Sequence, residues 1–186
     1  APCVITCPAG INVQGYIQLI GQGKYRQAIE LIRERLPLPG VLGRVCPHPC
    51  ETQCARAQVD AAVAIRDLKR FAADQVDPAT LPIPPIEDLS EKVAVVGSGP
   101  AGLTVAYYLR LKGYQITIFE ALQELGGKLR VGIPDYRLPP KILDREIDSI
   151  LRLGVDVRTG MRLGTDFTLD DLKSEGYAAV FLAIGA

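Results

Sequence analysis

The chain has 186 residues, of which 48% are hydrophobic and 23% are charged. This composition is typical of a folded globular protein and excludes a disordered or fibrous one. The formal net charge is zero, so charge does not point to nucleic acid or an anionic membrane surface as a partner. The longest apolar run, residues 178–184, is too short to cross a bilayer.

The two ends of the sequence lead us to expect a fragment of a longer protein. The chain opens at Ala1 with no initiator methionine and no signal-peptide pattern. It stops directly after an apolar, strand-like run. The lack of a signal peptide favours a cytoplasmic protein.

The first 76 residues are predicted to form an all-helical domain. Apolar residues recur at i, i+3, i+4 and i+7 over residues 11–20 and again over residues 24–35, which indicates two amphipathic helices. We expect a third helix from about Glu51 and a fourth from Ala62 to Asp74. A helical unit of this size often needs additional stabilisation, for example by a bound metal.

The cysteines indicate how this unit is stabilised. The chain has five, all in the helical domain and in the predicted turns: Cys3, Cys7, Cys46, Cys50 and Cys54. An odd count without a secretion signal favours metal or iron–sulfur ligation over disulfides. Two alternatives stay open: buried cysteines acting as small hydrophobes, and a structural zinc site, which the x3 spacings fit poorly. His48 stands between two prolines and is predicted to be a loop residue, not a ligand.

Residues 77–91 contain four prolines and are predicted to be a stiff connector. Beyond it, residues 92–186 are predicted to form an α/β Rossmann-like domain. Its strands are expected at 92–97, 115–120, 155–160 and 178–185, and its helices at 100–112 and 140–153. Strands that alternate with helices predict a parallel sheet with right-handed crossovers.

A glycine-rich motif lies between the first predicted strand and the first predicted helix of this domain. It is G-x-G-x-x-G, formed by Gly97, Ser98, Gly99, Pro100, Ala101 and Gly102. Such glycines permit the tight turn, the approach of a pyrophosphate and close helix packing. Glu120 ends the second strand, where an acidic side chain accepts hydrogen bonds from a ribose and repels a 2′-phosphate. The motif therefore predicts a dinucleotide site that does not take NADP.

The nucleotide is predicted to be FAD because two further segments resemble those of flavoproteins with two dinucleotide-binding domains. They are Gly126-Gly127, shortly after Glu120, and Ala183-Ile184-Gly185 at the end of the last strand.

Longer segments resemble one enzyme family over essentially the whole chain. They include CPAGINVQGYIQLI, GRVCPHPCETQC, IRDLKRFAAD, VVGSGPAGLTVAYYL, GGKLRVGIPDYRLP and GYAAVFLAIGA. They are similar to the small (β) subunit of NADPH-dependent glutamate synthase. The N-terminal part of dihydropyrimidine dehydrogenase and the large subunit of NADH-dependent ferredoxin:NADP oxidoreductase share them.

This resemblance implies an electron-input subunit with two [4Fe–4S] clusters and FAD, which takes a hydride from NAD(P)H and passes electrons to a partner. Cys3 and Cys54 would serve one cluster, and Cys7, Cys46 and Cys50 the other. The implied FAD contacts are the six residues of the glycine motif with Glu120, Ala121, Gly127, Lys128, Arg137, Leu163, Ala183 and Gly185. No residue is implied as an acid–base catalyst. The implied partner is a glutamate synthase large subunit, or an acceptor such as a ferredoxin-like protein.

The sequence departs from the family in three ways. The upstream C-x-x-C that completes the first cluster would precede Ala1, and the second, NAD(P)H-binding domain would follow Ala186. The position of the second cluster's fourth ligand is Lys69, which cannot ligate iron while protonated. We therefore expect the chain by itself to be inactive. Two other interpretations stay open: a non-catalytic electron-transfer or scaffolding subunit, and an NAD dehydrogenase with a zinc-stabilised helical domain.

Overall fold

We describe the fold from a computed structural model, which describes residues 1–185. Ala186, the last residue of the predicted Rossmann-like domain, lies outside the described residues. The chain divides into two compact units, Ala1–Leu81 and Pro82–Ala186, and each is described by itself below. Within residues 1–185 no helix has the length and apolar character that a bilayer span requires.

The first unit is built from helices. They are α1 (Pro2–Ile5), α2 (Val13–Gly21), α3 (Tyr25–Arg33), α4 (Pro39–Val45), α5 (Pro49–Thr52) and α6 (Ile65–Gln75), with 3-10 turns at Ala55–Gln58 and Pro78–Thr80. The periodicity that predicted α2 and α3 also places their apolar residues in the core, where Tyr16, Ala28 and Ile32 are fully buried. The predicted fourth helix corresponds to α6, which begins three residues later than expected.

Helix α4 is absent from our sequence prediction. Its seven residues contain Gly40 and Gly43, which lower helix propensity. The structure shows the reason for Gly43: a Cβ atom there would lie 2.8 Å from the Cα atom of Arg70 in α6. The glycine lets the two helix backbones approach closely. The helix predicted from Glu51 is also shorter than expected, because α5 ends at Thr52 and the chain then enters a 3-10 turn.

The proline-rich residues 77–91 are shared between the two units. Asp77 caps the 3-10 turn Pro78–Thr80, and Leu81 is buried in the helical core. The following residues belong to the second unit, where the N–H of Leu89 donates to the carbonyl of Gly113 (2.8 Å). Contacts therefore divide the chain between Leu81 and Pro82, and the domain limits at residues 76 and 92 stay predictions.

The second unit is a parallel sheet covered by helices. Its strands are β1 (Lys92–Val96), β2 (Gln115–Glu120), β3 (Asp156–Thr159) and β4 (Tyr177–Leu182), in the order β3-β2-β1-β4. Its helices are α7 (Pro100–Leu111), α8 (Lys128–Val131), α9 (Pro140–Leu151) and α10 (Leu169–Ser174). The predicted parallel sheet is confirmed, whereas α8 and α10 are absent from our sequence prediction.

Alternation along β1 assigns its side chains to the two faces of the sheet. Val95 faces α7, where its Cγ1 atom lies 3.2 Å from the position of a Cβ on Gly102. Ala94 and Val96 face the other way and pack in a cluster with Phe119, Phe167, Leu172 and Tyr177. Both faces are thus covered, as is usual for parallel sheets.

The two leucines of α10 provide a matched test of this packing. Leu172 is fully buried in that cluster, whereas Leu169 is 47% exposed. We expect Leu172→Ala to destabilise the second unit by about 2–5 kcal/mol, because the substitution leaves a cavity. Leu169→Ala should cost about 0.5 kcal/mol or less. Urea unfolding of both variants measures the difference, and equal losses of stability would contradict the assigned face.

Candidate functional site

The five cysteines of the helical unit are free thiols. Cys3 lies in α1 and Cys7 shortly after it. Cys46 ends α4 as its C-cap residue, and Cys50 is the second residue of α5. Cys54 follows α5 and precedes the 3-10 turn. All except the buried Cys50 are partly exposed. The prediction that all five lie in turns is wrong for Cys3 and Cys50, which lie within short helices, and holds for Cys7, Cys46 and Cys54, which lie outside the helices.

Tyr16 of α2 shows which of these thiols lie near one another. Its side chain is fully buried, and its hydroxyl donates to the carbonyl oxygen of Ile65 at the start of α6 (3.2 Å). Burial is the main cause that raises the pKa of Tyr16, and Cys50, Cys7 and Cys3 raise it further by charge repulsion. Tyr16 and Cys50 belong to one cluster of buried residues, and Cys3 and Cys7 pack against that cluster. The sequence analysis had placed Tyr16 only on a helix face.

A second relation links Cys50 to two other thiols. Burial raises the pKa of Cys50, and repulsion from Cys46 and Cys7 adds to the rise, whereas Lys69 acts in the opposite direction. The backbone N–H of His48 donates to the Sγ atom of Cys46 (3.3 Å). Hydrogen bonds to sulfur stabilise thiolates and tune the reduction potential of a cluster.

His48 is the N-cap residue of α5, and its expected lack of a ligand role stays a prediction. It has a φ of +46°, and its Nδ1 atom lies 3.1 Å from a carboxylate oxygen of Glu51. The other carboxylate oxygen of Glu51 accepts the N–H of Arg66 (2.8 Å), which ties α5 to the start of α6.

Cys54 and Cys3 line a separate cavity of about 390 Å³ with mostly apolar walls that include Val13, Ile17 and Val63. Backbone hydrogen bonds from Val63 and Arg56 lower the pKa of Cys54, which favours its thiolate.

A single metal ion is not what these thiols surround. In the described part of the chain no three histidine, cysteine, aspartate or glutamate side chains lie close enough together to hold one ion. Cluster ligands obey a different geometry, because each thiolate of a [4Fe–4S] cluster binds its own iron.

The glycine motif of the second unit has two glycines that pack against backbone and one that faces open space. Gly97 has a φ of +103°, and a Cβ there would lie 2.3 Å from the carbonyl oxygen of Ala183. A Cβ on Gly102 would lie 1.9 Å from the carbonyl oxygen of Gly97. Around Gly99, no heavy atom of residues 1–185 other than those of Gly99 and its two chain neighbours lies within 4 Å of the Cβ position. That open space lies at the N-terminus of the 12-residue helix α7, where backbone N–H groups and the helix dipole attract phosphate.

Glu120 is held by a hydrogen-bond network that the sequence did not predict. Its buried carboxylate accepts the N–H of Ser98 (2.8 Å), the Ser98 hydroxyl and the N–H of Leu122 (2.9 Å). The Ser98 Oγ atom in turn accepts the N–H of Gly126 (3.1 Å). Burial alone would raise the pKa of Glu120, but the bonds from Ser98, Leu122 and Ala121 outweigh it, so the pKa is lowered.

Several predicted FAD contacts therefore meet at one place. Gly127 packs on Gly99, since a Cβ on Gly127 would lie 2.9 Å from the Cα atom of Gly99. The N–H of Ala183 donates to the carbonyl of Val96 at the end of β1 (2.7 Å). Pro100 and Ala101 are exposed at the start of α7, Lys128 is exposed at the start of α8, and Gly185 lies two residues after Ala183.

Two predicted contacts lie elsewhere in the unit. Arg137 is exposed, and its N–H donates to Pro134 in the segment before α9. Leu163 packs against the core cluster around Phe119 and pairs with Phe167. As contacts of FAD they stay predictions, as does the whole set of site residues.

Comparisons with known protein families agree with this geometry. Residues 1–80 match the family described as dihydropyrimidine dehydrogenase domain II, 4Fe-4S cluster. The helical unit is thus similar, over nearly its full length, to a 4Fe–4S cluster domain of dihydropyrimidine dehydrogenase. Residues 95–138 match the NAD(P)-binding Rossmann-like domain, which covers the glycine motif, Glu120 and Gly127. The family predicted from the sequence is confirmed, and the zinc interpretation of the cysteines is not supported.

Curated relatives match the chain along its full length. The NADPH-Fe(3+) oxidoreductase subunit beta of Geobacter sulfurreducens is 49% identical, and the NADP(+)-dependent formate dehydrogenase subunit beta of Moorella thermoacetica is 45% identical. The NAD-dependent dihydropyrimidine dehydrogenase subunit PreT of Escherichia coli is 40% identical. The chain spans only 28%, 29% and 45% of these three relatives, so it corresponds to a part of each.

The serine of the motif can be tested through stability. Ser98→Ala removes a donor to Glu120 and leaves the buried N–H of Gly126 without its acceptor, so we expect a loss of about 1–3 kcal/mol at neutral pH. Because the pKa of Glu120 is lowered in the folded state, its stabilising effect is present above its ordinary value of 4.5 and is lost as the pH falls through the folded pKa. The difference between the two proteins should therefore shrink in acid.

Urea unfolding at a series of pH values measures this. The matched control is Ser90→Ala, since the exposed Ser90 hydroxyl also donates to a glutamate, Glu91 (3.3 Å), and should contribute little. A difference of the same size at neutral and acidic pH would show that Glu120 is not the group involved.

Proposed function

We propose that the full-length protein containing this chain is an oxidoreductase subunit that moves electrons from NAD(P)H through FAD to [4Fe–4S] clusters and on to a partner subunit. The observation that carries the proposal is the presence, in one chain, of a 4Fe–4S domain and a dinucleotide loop with an open Gly99. The names of the relatives, which are subunits of NADPH-, NADP(+)- and NAD-dependent oxidoreductases, agree with it.

In the helical unit, the thiols support two separate cluster sites. Cys3 and Cys54 line the same cavity, and its apolar walls would exclude water from a group bound there. Cys7, Cys46 and Cys50 are related through the pKa of Cys50. We propose that these two sets hold the two clusters. The N–H of His48 donates a hydrogen bond to the Sγ atom of Cys46, and backbone hydrogen bonds from Val63 and Arg56 lower the pKa of Cys54.

In the second unit, the loop supports a dinucleotide of the FAD type. The space at Gly99 would take the pyrophosphate, and the N-terminus of α7 would face it. The buried Glu120 carboxylate would orient a ribose, and its charge disfavours a 2′-phosphate. FAD is favoured over NAD because Gly127 packs directly on Gly99, where the family resemblance places a flavin contact.

The two cofactors divide the redox chemistry. A flavin accepts two electrons as a hydride, and iron–sulfur clusters pass electrons singly. The described residues would bind, orient and shield these groups.

The direct test uses the full-length protein purified without oxygen. We expect acid treatment to release FAD, chemical analysis to find iron and sulfide, and NAD(P)H to bleach the visible absorption of flavin and clusters. Bound FAD and clusters that NAD(P)H does not reduce would favour a non-catalytic electron-transfer or scaffolding subunit. Zinc in place of iron would contradict the proposal.

Paired variants should separate the two sites. Gly99→Ala places a methyl group in space that is open in the protein, at a φ of −66° that any residue adopts. We expect it to fold normally, to lose FAD at least tenfold in affinity and to keep its iron. Cys50→Ser should show the reverse, with loss of iron and retention of FAD.

Gly21→Ala is the control for the glycine substitution, since its Cβ position is also open and lies in the other unit. Normal FAD content in Gly99→Ala would show that the pyrophosphate does not occupy this space.

A further inference from the structure

Helix α6 buries a positive charge on the face that it turns to the helical core. Its buried residues are Ile65, Lys69 and Ala72, at i, i+4 and i+7, which is one stripe of a helix. Lys69 is only 4% exposed, although its neighbours on the stripe are apolar. Lysine is almost never fully buried unless negative charge accompanies it. The position places Lys69 on the same core-facing stripe as Ile65 and Ala72, which belong to the cluster of buried residues that also contains Cys50.

Two hydrogen bonds join the first turn of α6 to the part of the unit that contains the cysteines. The carbonyl of Ile65, one turn before Lys69, accepts the hydroxyl of Tyr16, which lies in the same core cluster as Cys50, with Cys3 and Cys7 packed against it. The N–H of Arg66 donates to Glu51, the residue after Cys50. Cys50 is itself buried, at 7% exposure. Burial raises the pKa of Cys50, and Lys69 acts in the opposite direction.

A cation fixed there has a definite effect on a bound cluster. Uptake of one electron makes the cluster more negative by one charge, and a nearby ammonium stabilises that state more than the oxidised one. Water screens the interaction little at a buried site. A protonated amine carries three donors and no lone pair, so it acts through its charge and its hydrogen bonds and does not ligate iron.

We propose that Lys69 is a positioning residue for the cluster held by Cys7, Cys46 and Cys50, whose reduction potential it raises by charge compensation. This rests on the cluster ligands assigned under the proposed function.

The test compares variants of the anaerobically purified full-length protein by redox titration followed by electron paramagnetic resonance. Lys69→Met keeps the length and apolar stem of the side chain but removes the charge, and Lys69→Arg keeps the charge. The signal that Cys50→Ser removes identifies the cluster in question. Lys24→Met is the matched control, because Lys24 is an exposed lysine of the same unit whose charge water screens.

We expect Lys69→Met to retain the iron and sulfide of the wild type and to reduce this cluster with an equilibrium constant at least tenfold smaller. That corresponds to a midpoint potential about 59 mV more negative for a one-electron couple. Lys69→Arg and Lys24→Met should stay close to the wild type, and the other cluster should shift less. If Lys69→Met does not fold, Lys69→Gln takes its place under the same criterion.

Two results would overturn the inference while leaving the proposed function intact. One is a folded, iron-replete Lys69→Met protein with an unchanged midpoint. The other is loss of this cluster's iron in folded Lys69→Met, which would make Lys69 an iron ligand and not a counter-charge. A wild-type protein without iron and sulfide would overturn the proposed function and this inference together.

Discussion

The close contact between Gly102 and the carbonyl of Gly97 is the constraint on which the sheet unit's candidate site depends. Only a residue without Cβ lets the first turn of α7 come so near the end of β1. The N–H of Gly97 donates to the carbonyl of Phe119 in β2 (2.7 Å), so the turn is also fixed to the neighbouring strand. As a result the start of α7 faces the open space at Gly99, and Ser98 comes within reach of Glu120. Glycine here is required by backbone contact, and the geometry of the proposed phosphate site follows from that contact.

The helical unit depends on a different kind of constraint, because its polar groups lie inside the core. Tyr16, Lys69 and Cys50 are all buried. The Tyr16 hydroxyl donates to the carbonyl of Ile65 in α6, the helix that carries Lys69, and the charge of Lys69 acts to lower the pKa of Cys50 against the effect of burial. In an apolar core of about 80 residues such groups cost stability unless they are paired. A cluster bound through the thiolates as proposed would bring negative charge into this core and would also link α1, α4 and α5. Binding of the cluster and folding of this unit would then be coupled.

The sequence could predict the parallel sheet and the dinucleotide loop because both depend on local patterns. The strand–glycine–helix order needs only residues 92–120, and the structure reproduces β2 at the predicted residues. Helix α4 could not be predicted, since Gly43 is a helix breaker by propensity and becomes favourable only through contact with Arg70. Ser98 occupies a position of the motif at which any residue is allowed. Its role depends on contact with Glu120, which lies 22 residues later in the sequence. For α10 a signal was present, because Thr168 and Asp171 form a capping box.

The state of Glu120 determines how a nucleotide can enter the loop. Protein donors from Ser98 and Leu122 already occupy both carboxylate oxygens. A ribose hydroxyl that reaches this carboxylate therefore joins an existing network and does not create one. The Ser98 hydroxyl is the part of the network that can change. If its hydrogen rotates away from Glu120, the carboxylate can accept a ribose hydroxyl in its place, while Oγ still accepts the N–H of Gly126. Since the carboxylate is oriented and ionised before any ligand arrives, little ordering remains to be done on binding, and preorganisation of this kind raises affinity.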